Sequence, residues 1–249
     1  MNLIWRHLAT FPGALHWAWE VVRPFYMDGI IRREVAVFRS SFRLPEVTAP
    51  PPEVFAAAGL GSVDLPRIRD VLDTYDRTNP MALIALLVVQ QRLGHSETGG
   101  ADERLKAKSS VPQAAEPVLE LPPSLRLDEL TPPVAQLVLR LNRFGTTRQD
   151  PVLASMYRNL AHWPGYLALA WLLLAPLDAS GALGSAIEDA LQQAGTRAAA
   201  IGAGAPMPRA VLPAALRPTV SDAIERFTSD AIARMVVVCG VLRRAGVGG

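Results

Sequence analysis

Residues 8–19 read LATFPGALHWAW, and residues 160–171 read LAHWPGYLALAW, 152 positions further on. Carried outward to Ile4–Tyr26 against Met156–Asp178, the register holds without a gap. It gives nine identities in 23 positions, among them Arg6/Arg158, Pro12/Pro164, Trp19/Trp171 and Pro24/Pro176. The same offset lays Ile68–Gly94 on Val220–Gly246, with Asp70/Asp222, Val89/Val241, Arg92/Arg244 and Gly94/Gly246 identical. Two similar halves are therefore expected, superimposable at this offset. A period of 152 residues is far longer than the roughly 20 to 50 residues of a solenoid unit, so the expectation is a duplicated bundle about a pseudo-twofold. The seam between the halves is the natural place for a ligand cleft.

The elements inside each half read as helices. Ile31, Val35 and Phe38 fall at helical spacing, as do Ile68, Val71, Leu72 and Tyr75, and Val134, Leu137, Val138 and Leu141. No Asn-Gly or Asp-Gly hairpin signal separates alternating strands, so the fold class is all-α. Trp17 and Trp19, two residues apart, cannot share one helix face; one is expected to pack inward and the other against a neighbour. Thr78-Asn79-Pro80 is expected to break one helix, with a restart at Met81, because proline disfavours helical geometry in the residue before it. A loop is expected from Gly195 to Pro208, and one uninterrupted final helix from Pro218 to Ala245. The domain reading is residues 1–94 as the first repeat, 95–124 as a mobile linker rich in Gly, Ser, Pro and charge, and 125–249 as the second repeat. The first repeat lacks a counterpart to the helix at 132–145.

Composition narrows the function. Half of the 249 residues are apolar, enough for a substantial core. The net charge of +2 and scattered basic residues give no footprint for nucleic acid. The single cysteine, Cys239, rules out an internal disulfide or a paired-cysteine site, matches a reducing cytoplasm, and reads as a small buried hydrophobe. The apolar runs at 82–89 and 167–175 fall short of the roughly 20 residues that a spanning helix needs, so no membrane segment is expected. The N-terminal stretch has Arg6 and His7 inside its apolar part and does not read as a signal peptide. No phosphate loop, HExxH or GxSxG is present, and the four histidines lack metal-ligand spacing, so neither a metal nor a cofactor is expected.

The two LA-x-[FW]-P-G phrases, their spacing, and Asn79-Pro80 opening an apolar helix resemble the group I 2-haloacid dehalogenases, the DehI type, over nearly the whole chain. The resemblance implies an all-helical fold of two repeats with the active site between them. It also implies hydrolysis of 2-halocarboxylic acids by an aspartate-activated water that attacks C2 directly, with no covalent intermediate and no cofactor. Carried over, Asn79 takes the place of the water-positioning asparagine, and Ser155 that of the serine beside the catalytic position. The catalytic aspartate falls on Met156, which cannot accept a proton. A family aromatic falls on Leu3. Asn79 is thus the candidate catalytic residue, with Leu3, Ser155 and Met156 lining the substrate site. Asn79, Ser155 and Met156 are expected to lie together.

Each position has a plainer reading: Asn79 as a helix cap, Ser155 on a helix face, Met156 as a core filler, and Asp150 as a cap and not a substitute base. The functional readings are a 2-haloacid dehalogenase with a displaced base, or a non-catalytic relative that binds a small carboxylate or apolar ligand. With methionine in the aspartate's place, native protein is expected to release little chloride. The expected partner is a small molecule, a 2-halocarboxylic acid, with no nucleic acid or membrane; a homodimer is compatible with the sequence.

Overall fold

The protein is described by a computed structural model covering residues 3–94, 120–204 and 208–246. It is all-helical, with no strand among these residues. The helices are α1 (Leu3–Leu8), α2 (Ala14–Met27), α3 (Ile30–Ser41), α4 (Pro52–Ala57), α5 (Asp64–Gly94), α6 (Pro132–Leu141), α7 (Ser155–Leu160), α8 (Pro164–Ala179), α9 (Ala182–Gly202), α10 (Arg217–Arg226) and α11 (Ala233–Arg244). All but the last five residues of the expected 95–124 linker lie outside the described residues.

The helix boundaries carry the 152-residue register. Shifted by that amount, α1 falls on α7 residue for residue, and the ends of α2 and the starts of α3 coincide with those of α8 and α9. The corner between the second and third helices repeats in its hydrogen bonds. Asp28 donates its N–H to the Pro24 carbonyl at 2.9 Å and Arg33 to Gly29 at 3.1 Å; Ser180 donates to Pro176 at 3.0 Å and Ser185 to Gly181 at 3.0 Å. Gly29 and Gly181 hold φ of +68° and +77°, a left-handed turn that only glycine adopts without strain.

Two compact units are present, each drawing on both halves of the chain. The described residues of Met1–Phe42, Pro80–Pro117 and Leu191–Ser229 form one; those of Arg43–Asn79, Val118–Ala190 and Asp230–Gly249 form the other. In the first, α1 packs on α2 and α10, and α2 on α3. Tyr26 donates to the Met81 carbonyl at 3.4 Å, and Glu20 accepts the Ala210 N–H at 2.6 Å. In the second, α8 packs against α6, α7 and α11. There the Cys239 thiol donates to the Leu72 carbonyl at 3.1 Å, and Arg243 reaches Asp73 at 2.6 Å and Asp76 at 2.8 Å. Trp17 is buried and Trp19 is 44 % exposed against Tyr26, as their spacing requires.

Three local expectations are corrected. The helix does not break at Thr78-Asn79-Pro80: α5 runs through Pro80. Proline there forfeits one N–H bond and crowds the preceding turn, at about 3 kcal/mol, but Ala82–Leu86, Val88 and Val89 are all buried and hold the helix together across it. The expected loop from Gly195 is instead the end of α9, which continues to Gly202. Ala194, Ala198 and Ile201 bury one face there, and alanine-rich sequence offsets the glycine. The final helix is interrupted: Phe227–Ile232 form a π-helical turn between α10 and α11. At offset 152 this turn falls on residues 75–80, where α5 carries its proline.

Candidate functional site

The loop from α6 to α7 sets the position of the family-matched residues. Asn142, at the end of α6, donates Nδ2 to the Val152 carbonyl at 3.2 Å and accepts the Ala154 N–H on Oδ1 at 3.0 Å. One buried amide thereby fixes the residues that lead into α7. Behind it lies Arg234 of α11, with no solvent exposure. Its Nη1 donates to the Asn142 carbonyl, and its Nη2 to Val152 O at 3.3 Å. Asp230, four residues earlier in the π turn, accepts the Val152 N–H at 3.3 Å on Oδ2. Its Oδ1 lies 3.6 Å from Arg234 Nε, too far for a hydrogen bond.

From this anchor α7 begins at Ser155, which is half-buried; Met156 and Tyr157 are fully buried. Two contacts orient α7 and α8 against the first half of α5. Tyr75 Oη donates to Asn159 Oδ1 at 2.7 Å, and Trp163 Nε1 donates to Asp64 Oδ1 at 2.9 Å. Asn79 stands one helical turn beyond Tyr75 on α5, and Ser155 and Met156 one turn before Asn159 on α7. Asn79 is buried and its Nδ2 has no hydrogen-bond partner. Because α5 is continuous, Asn79 is not the helix cap of the plainer reading.

Asn79, Ser155 and Met156 belong to one compact unit; Leu3, the first residue of α1 and 38 % exposed, belongs to the other. Asp150 lies in an exposed loop five residues before α7 and not at a helix start. Asp230 and Arg234 were not distinguished by motif or spacing. The available signal was one arginine within Ala233–Leu242, a run otherwise apolar or small, with an aspartate four residues before it; every residue of that run is buried. Burial also pushes the hydroxyls of Tyr157 and Tyr166 well above the ordinary tyrosine range, so both stay protonated. Among the described residues no three His, Cys, Asp or Glu side chains are grouped to hold a metal ion. No single described helix is long and apolar enough to cross a membrane.

The first unit contains a separate pocket of about 680 Å³ on α1 and α2, walled by Trp5, Phe11, Pro12, Trp19 and Tyr26 with His16 at its rim. His16 pairs with Glu20 at 3.3 Å. None of Leu3, Asn79, Ser155 and Met156 lines it.

No family model matches the chain. It is similar to a configuration-inverting 2-haloacid dehalogenase of Alcaligenes xylosoxydans xylosoxydans, with 25 % identity over 165 residues, covering 66 % of this chain. The match takes in 55 % of the relative, so the chain spans about half the length of the protein it matches.

Proposed function

We propose that the chain is a 2-haloacid dehalogenase-like protein whose site, around Asn79, binds a small 2-halocarboxylic acid and hydrolyses it by attack of water at C2. The observation that carries this reading is Asn79 itself: a buried amide in mid-helix whose Nδ2 is unpartnered. A buried donor without a partner costs about 1–3 kcal/mol, so a position that retains one has a use for a polar guest. The similarity to an inverting dehalogenase gives that guest a chemical class. Water attacking opposite the departing halide forms the C–O bond as the C–halogen bond breaks, and the water's proton passes to a base.

Met156 favours a second reading. It is fully buried at the position the family resemblance gives to the base, which fits a relative that binds the acid without turning it over. Chloride release from both enantiomers of 2-chloropropionate, with calorimetric binding of the same compounds, separates the two. Release that Asn79→Ala abolishes supports the hydrolase; binding without release supports the second reading. Neither binding nor release would dispose of both.

A further inference from the structure

In the second unit one face of α8 is covered by a helix. There α6 packs on both α8 and α7, with Val138 and Leu141 buried. Just past its end the Phe144 ring meets that of Trp171 at 6.4 Å between centres, and the Gly145 N–H donates to Asp178 Oδ1 at 2.7 Å. The residues 152 positions before Trp171 and Asp178 are Trp19 and Tyr26 of α2, and both stand on the wall of the pocket of about 680 Å³ in the first unit. Other residues of that wall lack cover in the same way. Trp5, Phe11 and Leu15 are half-buried and Ala9 is exposed, whereas Tyr157, Trp163, Leu167 and Ala161 at the same offset are buried. The helices packed most closely on α2 are α1 and α3, and neither is the counterpart of α6.

We propose that this pocket seats an amphipathic helix supplied by a partner polypeptide, apolar at i, i+3, i+4 and i+7 and aromatic three places further on. The pattern is that of α6, in Val134, Leu137, Val138, Leu141 and Phe144. The length fits, since Leu15 to Tyr26 spans about 16 Å of α2 and α6 itself is about 15 Å long. So does the chemistry. The wall is aromatic and aliphatic, and its polar groups are engaged within the unit: His16 pairs with Glu20 at 3.3 Å, and Tyr26 Oη donates to the Met81 carbonyl at 3.4 Å. Nothing on it calls for a charged guest, and an apolar helix face laid into an apolar groove at this spacing is a recurring mode of recognition. Trp19, 44 % exposed, is the anchor, because a large aromatic side chain contributes most where binding covers it. Leu3, Asn79, Ser155 and Met156 take no part in this surface.

The probe is a synthetic peptide of residues 131–145, which carries the pattern, with a scrambled peptide of the same composition as control. Titrated into native protein in a calorimeter, the peptide is expected to bind with a dissociation constant on the order of 10 µM and the control not to bind. Trp19→Ala, at a position open to solvent, should keep the native circular dichroism and weaken binding about tenfold or more. A peptide with p-benzoylphenylalanine in place of Phe144 should crosslink to α2 on irradiation. The proposal is overturned if the peptide shows no saturable binding up to about 1 mM, if the scrambled control binds equally, or if Trp19→Ala leaves the affinity unchanged. Crosslinks confined to α8 also overturn it, because they mean exchange with α6 in the second unit. Native protein that sediments as a dimer which Trp19→Ala dissociates gives the groove to a second copy of the chain and overturns the partner helix.

Discussion

Met156 is the residue on which the functional reading turns, and its burial makes the effect of restoring an acid predictable. Met156→Asp puts a carboxyl where there is no solvent, which favours the neutral form and raises its folded pKa above the unfolded value of about 3.9. Such a group binds more protons folded than unfolded, so the variant should be least impaired near pH 4 and lose stability as pH rises, by about 3 kcal/mol or more at pH 7. Melting curves of variant and native protein across that range check this; a deficit that shrinks with rising pH would show a partner for the acid. Asp64 behaves oppositely. The Gly61 N–H, and then the Trp163 indole N–H, hold its carboxyl below the ordinary range, so its contribution is complete above pH about 4 and disappears as pH falls through the depressed value. The gap in melting temperature between native and Asp64→Asn protein should therefore close only as pH falls below the ordinary carboxylate range. At this scale the sequence discloses residues whose neighbours are local: Cys239 within its apolar run, and Trp17 and Trp19 on opposite faces. Arg234 was illegible because its partners Asn142 and Val152 lie 92 and 82 positions away, and no local pattern tells a buried arginine from a solvated one.

Among the elements, α5 departs furthest from what proline chemistry forecasts. Its continuity depends on long-range burial, which periodicity does not encode; Gly195 within α9 is the same case in milder form. Pro80→Ala should return one backbone hydrogen bond to Asp76 and raise stability by about 1–3 kcal/mol, read as an upward shift in melting temperature. A downward shift would mean that the packing on either side needs the proline's geometry. The two LA-x-[FW]-P-G phrases also part company here. A Cβ on Gly165 would stand 1.9 Å from the Ala58 carbonyl at the end of α4, whereas on Gly13 it would meet only Val211 O at 3.4 Å. Gly165→Ala must therefore displace α4 from α8, at about 2–3 kcal/mol. Protease cleavage at Pro52–Ala57 should accelerate in this variant, and unchanged resistance would contradict the close packing. The glycine was visible in the sequence as half of a repeat; the backbone pressed against it was not.

For the whole molecule, the helices and their order were legible because the same pattern occurs twice, but the compact units were not. Helical periodicity says which face is buried and not which distant segment buries it. The contiguous halves 1–94 and 125–249 each hold pieces of both units. Produced separately, neither fragment should show a cooperative thermal transition; mixed, they should regain helical circular dichroism and one sharp melt. Cooperative melting of 1–94 alone would contradict this. The interlacing also sets a schedule for synthesis on the ribosome. One unit needs residues as late as Ser229 and the other needs α11, which ends at Arg244 of 249 residues. Synthesis must therefore pass Ser229 before the first unit can close and reach α11 before the second can. A chain interrupted before α11 is expected to leave the second unit unclosed and its apolar helices without their partners.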